Sequence, residues 1–382
     1  MNRIILPLIM LLSTFSLLAA SADTFAADAP ILLPIEVVKD GIPSAGYINS
    51  EGKTVIPLIY ESAKNFSDGL AVVQDKKTGR FGAINKQGKV MIPMVHDELK
   101  LFSEGLAAAR KSELWGFIDT NGNWVVKPMF LEVFSHQAGV AAALSPVTQK
   151  YGFITRLGEW IVPPVFDTVK PFSEGLALVT RTRNDVHETL FINKKAELVV
   201  LAPAYLSFQE GLAPTLKDGK VGFIDAKGTW VIEPNFDYAL PFSDGLATVY
   251  DAVENKWGFI NKQGQYMIPP SFSPLMTMHS GLGANIASFH AGIAYVGDGF
   301  IDKQGQYVIQ GDFISSTNFR NGFAKVIKLK YNADGNVTDG IEGYINTRGE
   351  FIWSKPVPYI DDIIVQAAKY GSHHHAFFED HQ

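Results

Sequence analysis

Short apolar runs separated by polar breaks recur along the whole chain, and the clearest instance is WGFIDTNGNWVVKP, residues 115–128. Aligned on the glycine of GFID, copies fall at Gly46, Gly82, Gly116, Gly152, Gly222, Gly258, Gly299 and Gly343, with Leu190 in a degenerate ninth. A second glycine follows six positions later in each, at Gly52, Gly88, Gly122, Gly158, Gly228, Gly264, Gly305 and Gly349, and Ala196 takes that place in the degenerate copy. Successive copies lie 32 to 44 residues apart, a period that marks a repeat architecture.

Each copy predicts three strands. GFID and WVVKP are rich in strand formers, and the Asn or Asp, two polar residues and glycine between them have hairpin chemistry. Proline, at Pro57, Pro93, Pro128, Pro163, Pro234 and Pro269, is expected to end the second strand because it cannot donate to a ladder. A third segment, FSDGLAVV at 66–73, returns as FSEGLAAA, FSEGLALV, FQEGLAPT and FSDGLATV and predicts a turn entering a third strand. The expected unit is therefore a three-stranded antiparallel meander. Its strands are apolar on both faces: Trp230 and Ile232 share one side, Val231 takes the other. That pattern calls for cover on both sides, which neighbouring copies would supply, so a lone copy is not expected to fold.

The recurring WGFID, the glycine six positions on, the aromatic two positions after that and the FSEGLA segment resemble the WG-repeat, or KWG-repeat, proteins of bacteria. The resemblance covers the chain from about Gly46 to Trp353. It implies an all-β array, often exported or joined to unrelated domains, with no shared reaction or ligand. The copy at 190–200 departs from it by lacking both glycines, and Phe81, Tyr151 and Val221 stand where the tryptophan is expected.

The fold expected is all-β, an array of eight to nine three-stranded meanders. An open solenoid is favoured because the end copies look cap-like; a closed propeller-like ring is the alternative. Residues 1–26 read as a secretory signal, with Arg3, the apolar run 4–18 and small residues up to Ala26. Residues 27–370 form the array and 371–382 a flexible tail. Ile360 to Lys369 is a short helix or closing strand in this reading.

Composition narrows function mainly by exclusion. A formal charge of −6 argues against a nucleic-acid surface, and the lack of cysteine excludes disulfide and thiolate chemistry. Asp119, Asp225 and Asp302 alternate with Asn49, Asn85, Asn261 and Asn346 at one turn position, and Glu104, Glu174 and Glu210 alternate with Asp68 and Asp244 at another. Repetition assigns them to turn formation. No nucleophile, metal or phosphate-binding motif appears, so neither an enzyme nor a cofactor is expected. Asn332, Asp334, Asn336 and Asp339 lack the calcium-loop glycine and closing Glu, and read as a long polar hairpin. The tail holds His373, His374, His375 and His381 but reads as flexible rather than as a metal site.

Two features remain as candidate binding elements. About eleven residues are inserted within 274–284, and Met276, Met278 and His279 give that loop an adaptable apolar character. The aromatic after the second glycine, including Trp124, Trp160 and Trp230, would lie in register along the array, either as inter-repeat core or as a ladder for sugar rings. The functional expectation is an exported, periplasmic or secreted, non-enzymatic scaffold that binds another envelope protein. The alternative is a peptidoglycan or glycan binder. No stable membrane span is expected once the signal is removed.

Overall fold

A computed structural model describes residues 31–201, 206–273, 288–297, 299–311, 313–332 and 337–357. The signal, the inserted loop with Met276, Met278 and His279, and the C-terminal tail, including the helix or strand expected at 360–369, lie outside the described residues. Among the described residues there is no helix, and the strands form eight antiparallel sheets arranged as a β-propeller. The first sheet has six strands and holds two repeats, because Thr54–Ser67 runs unbroken from one into the next. Nine repeat units thus occupy eight sheets.

The fourth unit shows the plan. Its sheet order is Glu132–Val133, Val140–Leu144, Tyr151–Thr155, Trp160–Phe166. We call these the inner, alanine, glycine and edge strands. The expected meander needs two corrections. The LA segment pairs with the GFID that follows it, Ala142 opposite Phe153, and not with the WVVKP segment before it. The two-residue inner strand was not anticipated, because two residues carry no periodicity.

Proline also acts differently from expectation. Edge strands run through it: Trp124–Phe130 contains Pro128, and Trp160–Phe166 contains Pro163 and Pro164. The register explains why. Val162 pairs with Phe153 and Phe166 with Tyr151, so the residues around the prolines bulge away from the ladder over Gly152. A missing N–H costs nothing at a bulge on an outer edge, where proline also blocks pairing with foreign strands.

The two faces of each glycine strand feed two different cores. Ile118 packs with Val72, Ile92 and Phe102 of the second and third units, whereas Phe117 packs with Val126, Ala141 and Ile154 across the third and fourth. Nine such clusters follow one another, and the ninth joins the last unit to the first through Leu33, Ile35, Ile48 and Tyr344. Tyr344 Oη donates to Pro34 O at 2.9 Å and Lys355 Nζ to Glu36 O at 2.6 Å. The open solenoid is thereby corrected in favour of the ring. Both end faces are apolar and cover each other, so neither needs to serve as a cap.

Edge strands depart from the two-sided burial expected of them. Val126 and Ile232 are buried, but Val125 and Val231 on the opposite side are exposed. The side chain just after one inner strand reaches the inner strand of the next unit, as where Lys100 Nζ donates to Val133 O at 2.7 Å, which places these strands inside the ring and the edge strands on its circumference.

Candidate binding surface

Antiparallel strands put the FSEG turns and the Asn/Asp turns at one end of the ring, and the loops between alanine and glycine strands at the other. The turn end is committed to holding units together. In the FSEG turn both central residues have positive φ, 55° at Glu104 and 77° at Gly105, the geometry of a two-residue hairpin. Glutamate is a poor residue for that conformation, and its side chain shows the compensation. Glu104 Oε2 accepts the N–H of Gly139 in the next unit at 2.8 Å. The same bond joins Asp68 to Gly105, Glu174 to Gly211, Glu210 to Gly245 and Asp244 to Gly292. These acids are turn formers, as expected, and inter-unit staples as well.

At the loop end a second staple recurs. Asp167, just after an edge strand, is ion-paired with Lys150 at the start of its own glycine strand and accepts the Thr182 hydroxyl of the next unit at 2.9 Å. Asp237 likewise pairs with Lys220 at 2.6 Å and accepts the N–H of Ala252 at 2.8 Å, and Asp97 pairs with Arg80 and accepts the N–H of Ser112. Hydrogen bonding from the paired lysine holds the Asp167 and Asp237 carboxyls below the usual carboxylate range.

The third unit breaks this pattern at both positions. Leu114 stands where Lys150 and Lys220 stand, and Leu131 where Asp167 and Asp237 stand. The backbone is unchanged: Leu131 N donates to Leu144 O at 3.0 Å, as Asp167 N does to Thr180 O at 2.8 Å. A shallow cleft of about 800 Å³ lies here along the edge strand, lined by Lys111, Ser112, Glu113, Leu114, Trp124, Lys127 and Pro128. Met129 and Leu131 beside it are 48% and 38% exposed, and Val147 on the adjoining loop is 88% exposed.

The expected aromatic positions are neither sealed nor free. Trp124 is half-buried, edge-on to His96 of the preceding unit at 5.6 Å. Trp160 stands edge-on to Phe130 at 5.5 Å and is 36% exposed, and Trp230 packs partly into the core between the fifth and sixth units. The three therefore lie on separate units, and Trp124 alone reaches the cleft. Sequence reasoning missed Leu114, Leu131, Lys111 and Lys127. The available signal was that Leu114 and Leu131 are apolar where Arg80, Lys150 and Lys220, and Asp97, Asp167 and Asp237, are charged.

Two buried histidines occupy phenylalanine positions. His96 ends an edge strand as Phe130, Phe166 and Phe236 do, and His136 stands in the FSEG segment as Phe102 and Phe172 do. Burial pushes both imidazoles below the usual histidine pKa. Among the described residues no group of three His, Asp or Glu side chains could hold a metal, and no helix is long and apolar enough to cross a membrane.

Seven segments, residues 46–77, 81–115, 115–143, 151–181, 222–251, 257–282 and 299–330, match the family model described as the WG containing repeat. No curated protein sequence matches the chain. Among solved structures, Kluyveromyces lactis Hsv2 is similar at 10% identity and a TM-score of 0.28, covering 86% of this chain and 98% of that one. The tricorn protease gives 14% and 0.32, with 86% and 39% covered. The dihydro-heme d1 dehydrogenase NirN gives 11% and 0.35, with 84% and 72% covered. Likenesses this faint say nothing of the activity of this chain.

Proposed function

This chain belongs to the WG containing repeat family, and from that premise we propose that it is an exported, non-enzymatic scaffold whose circumference and loop end bind another protein of the cell envelope. The observation that carries this reading is a row of apolar side chains left in solvent at one repeated position. Val55, Met91, Val125, Val231, Met267 and Val308 each stand second in an edge strand and are exposed. Apolar surface repeated in this way serves association better than folding, since none of it contributes to the inter-unit cores. The turn end, by contrast, spends its polar groups on staples. Export is supported by the charged and apolar start of the chain, residues 1–26.

Pull-down of the protein from envelope extract, with purified peptidoglycan in parallel, tests the reading. A captured protein whose binding weakens as Val125, Val231 and Met267 are changed together to Ser supports it. Retention on peptidoglycan alone supports the glycan alternative. Fusing residues 1–26 to a reporter active only outside the cytoplasm tests export, and an inactive fusion removes that part.

A further inference from the structure

The third unit differs from its neighbours in a coordinated way. In the second, fourth and sixth units a cation opens the glycine strand and an aspartate follows the edge strand, and the two form an ion pair. In the third, both partners are leucine, and the cleft lies at that place. Replacing one partner alone would strand a charge at the junction; replacing both gives an apolar floor without that penalty. The exchange also removes the carboxylate that the next unit's loop uses elsewhere, and that loop carries the exposed Val147.

Resting on the binding reading above, we propose that this cleft is the docking site for a short extended peptide of the partner protein, with an apolar side chain flanked by carboxylates. Leu114, Pro128 and the open part of Trp124 form a floor for the apolar side chain. Lys111 and Lys127 stand on the rim against the single carboxylate of Glu113, so the site favours an acidic flank. Size argues for a peptide over a folded face. A cleft of about 800 Å³ lined by seven residues of one unit holds a few side chains, whereas a standard interface between folded proteins engages roughly 20–30 residues a side. Glycan stacking is less well served, because Trp124 is half-buried and is the one aromatic side chain in the lining.

The test uses a displayed random-peptide library with the whole chain as bait, followed by fluorescence anisotropy of the enriched peptide. The decisive variant is L114K with L131D, which installs the ion pair of the neighbouring units and should keep the ring intact by thermal melting. The expected result is enrichment of peptides with an apolar residue beside Asp or Glu, at least tenfold weaker binding to L114K/L131D and to K111E/K127E, and unchanged binding to Q304A, an exposed side chain on the turn end of the eighth unit. Equal binding to the wild type and L114K/L131D overturns the cleft and leaves the wider scaffold reading to the pull-down. No enrichment, or enrichment of basic peptides, also overturns it. Binding there by a synthetic peptide of residues 371–382 would assign the cleft to the chain's own terminus and overturn the partner. So would peptidoglycan binding lost in L114K/L131D.

Discussion

Gly116 lies so close beneath Val126 that a methyl group on its α-carbon would stand 2.2 Å from the Val126 carbonyl oxygen. The chain around Lys127 and Pro128 folds down over the glycine here, and the same approach recurs at 2.4 Å for Gly82 and Ile92 O and for Gly152 and Val162 O. Substituting Gly116 by Ala must push the bulge outward. A loss of about 3 kcal/mol is expected from overpacking, read as a lower denaturant midpoint. An unchanged midpoint would mean that the bulge is soft.

The degenerate copy lacks this glycine and still takes its place in the ring. There Leu190, fully buried, takes the place of the glycine and pairs directly with Leu201. Its turn keeps the fold at a cost, because Ala196 sits at φ 61° where the other units have glycine. Ala196→Gly should therefore stabilise the protein by about 1 kcal/mol, measured by equilibrium unfolding. Destabilisation would show that the methyl group contributes packing that outweighs the strain.

A staple can be added where one is missing. Ala138 occupies the turn position of Glu104 and Glu174, with φ 53° already paid for by the fold, and Lys194 Nζ donates to its carbonyl as Lys262 Nζ does to Glu210. Ala138→Glu should reach the N–H of Gly175 and the Lys194 ammonium. A gain of about 1 kcal/mol is expected for so exposed a bond. The gain should shrink in high salt, and a salt-independent change would point to another cause.

His136 gives the stability a pH dependence of known sign. Burial, the main cause, holds its folded pKa below the ordinary value, Arg156 pushes the same way, and Thr155 O and Glu104 oppose. As pH falls through about 6.5, the unfolded chain takes up a proton that the folded chain refuses, so stability present at neutral pH is lost on acidification. Nδ1 has no hydrogen-bond partner. His136→Phe, which restores the residue of the other units, should raise stability by about 1 kcal/mol at neutral pH. It should also flatten the slope between pH 7.5 and 5.5, leaving the part due to His96, which titrates in the same direction. An unaltered slope would clear His136.

Much of this architecture is legible in the sequence because its determinants are local. The paired glycines, the Asn/Asp turns and the FSEG segment mark strands within a dozen residues of one another. Which strands share a sheet was not legible: Ala142 could pair forward to Phe153 or back, and both frames repeat with one period. Nor was closure, since Tyr344 and Pro34 are 310 positions apart and nothing local distinguishes a capped end from one that meets its opposite. For the candidate site, Trp124 stands out in the sequence, but Leu114 and Leu131 acquire meaning only once register sets them against Lys150 and Asp167.

The first and last units close the ring through Leu33, Ile35, Ile48 and Tyr344. Because the chain contains no cysteine, Glu51→Cys and Glu350→Cys, on turns of those two units, can carry a nitroxide pair for a pulsed electron-spin distance measurement. Gly52 beside the first label lies against Ile352 O beside the second. A single short distance that persists on dilution is the expected result. A long, broad distribution would contradict closure and return the protein to an open array.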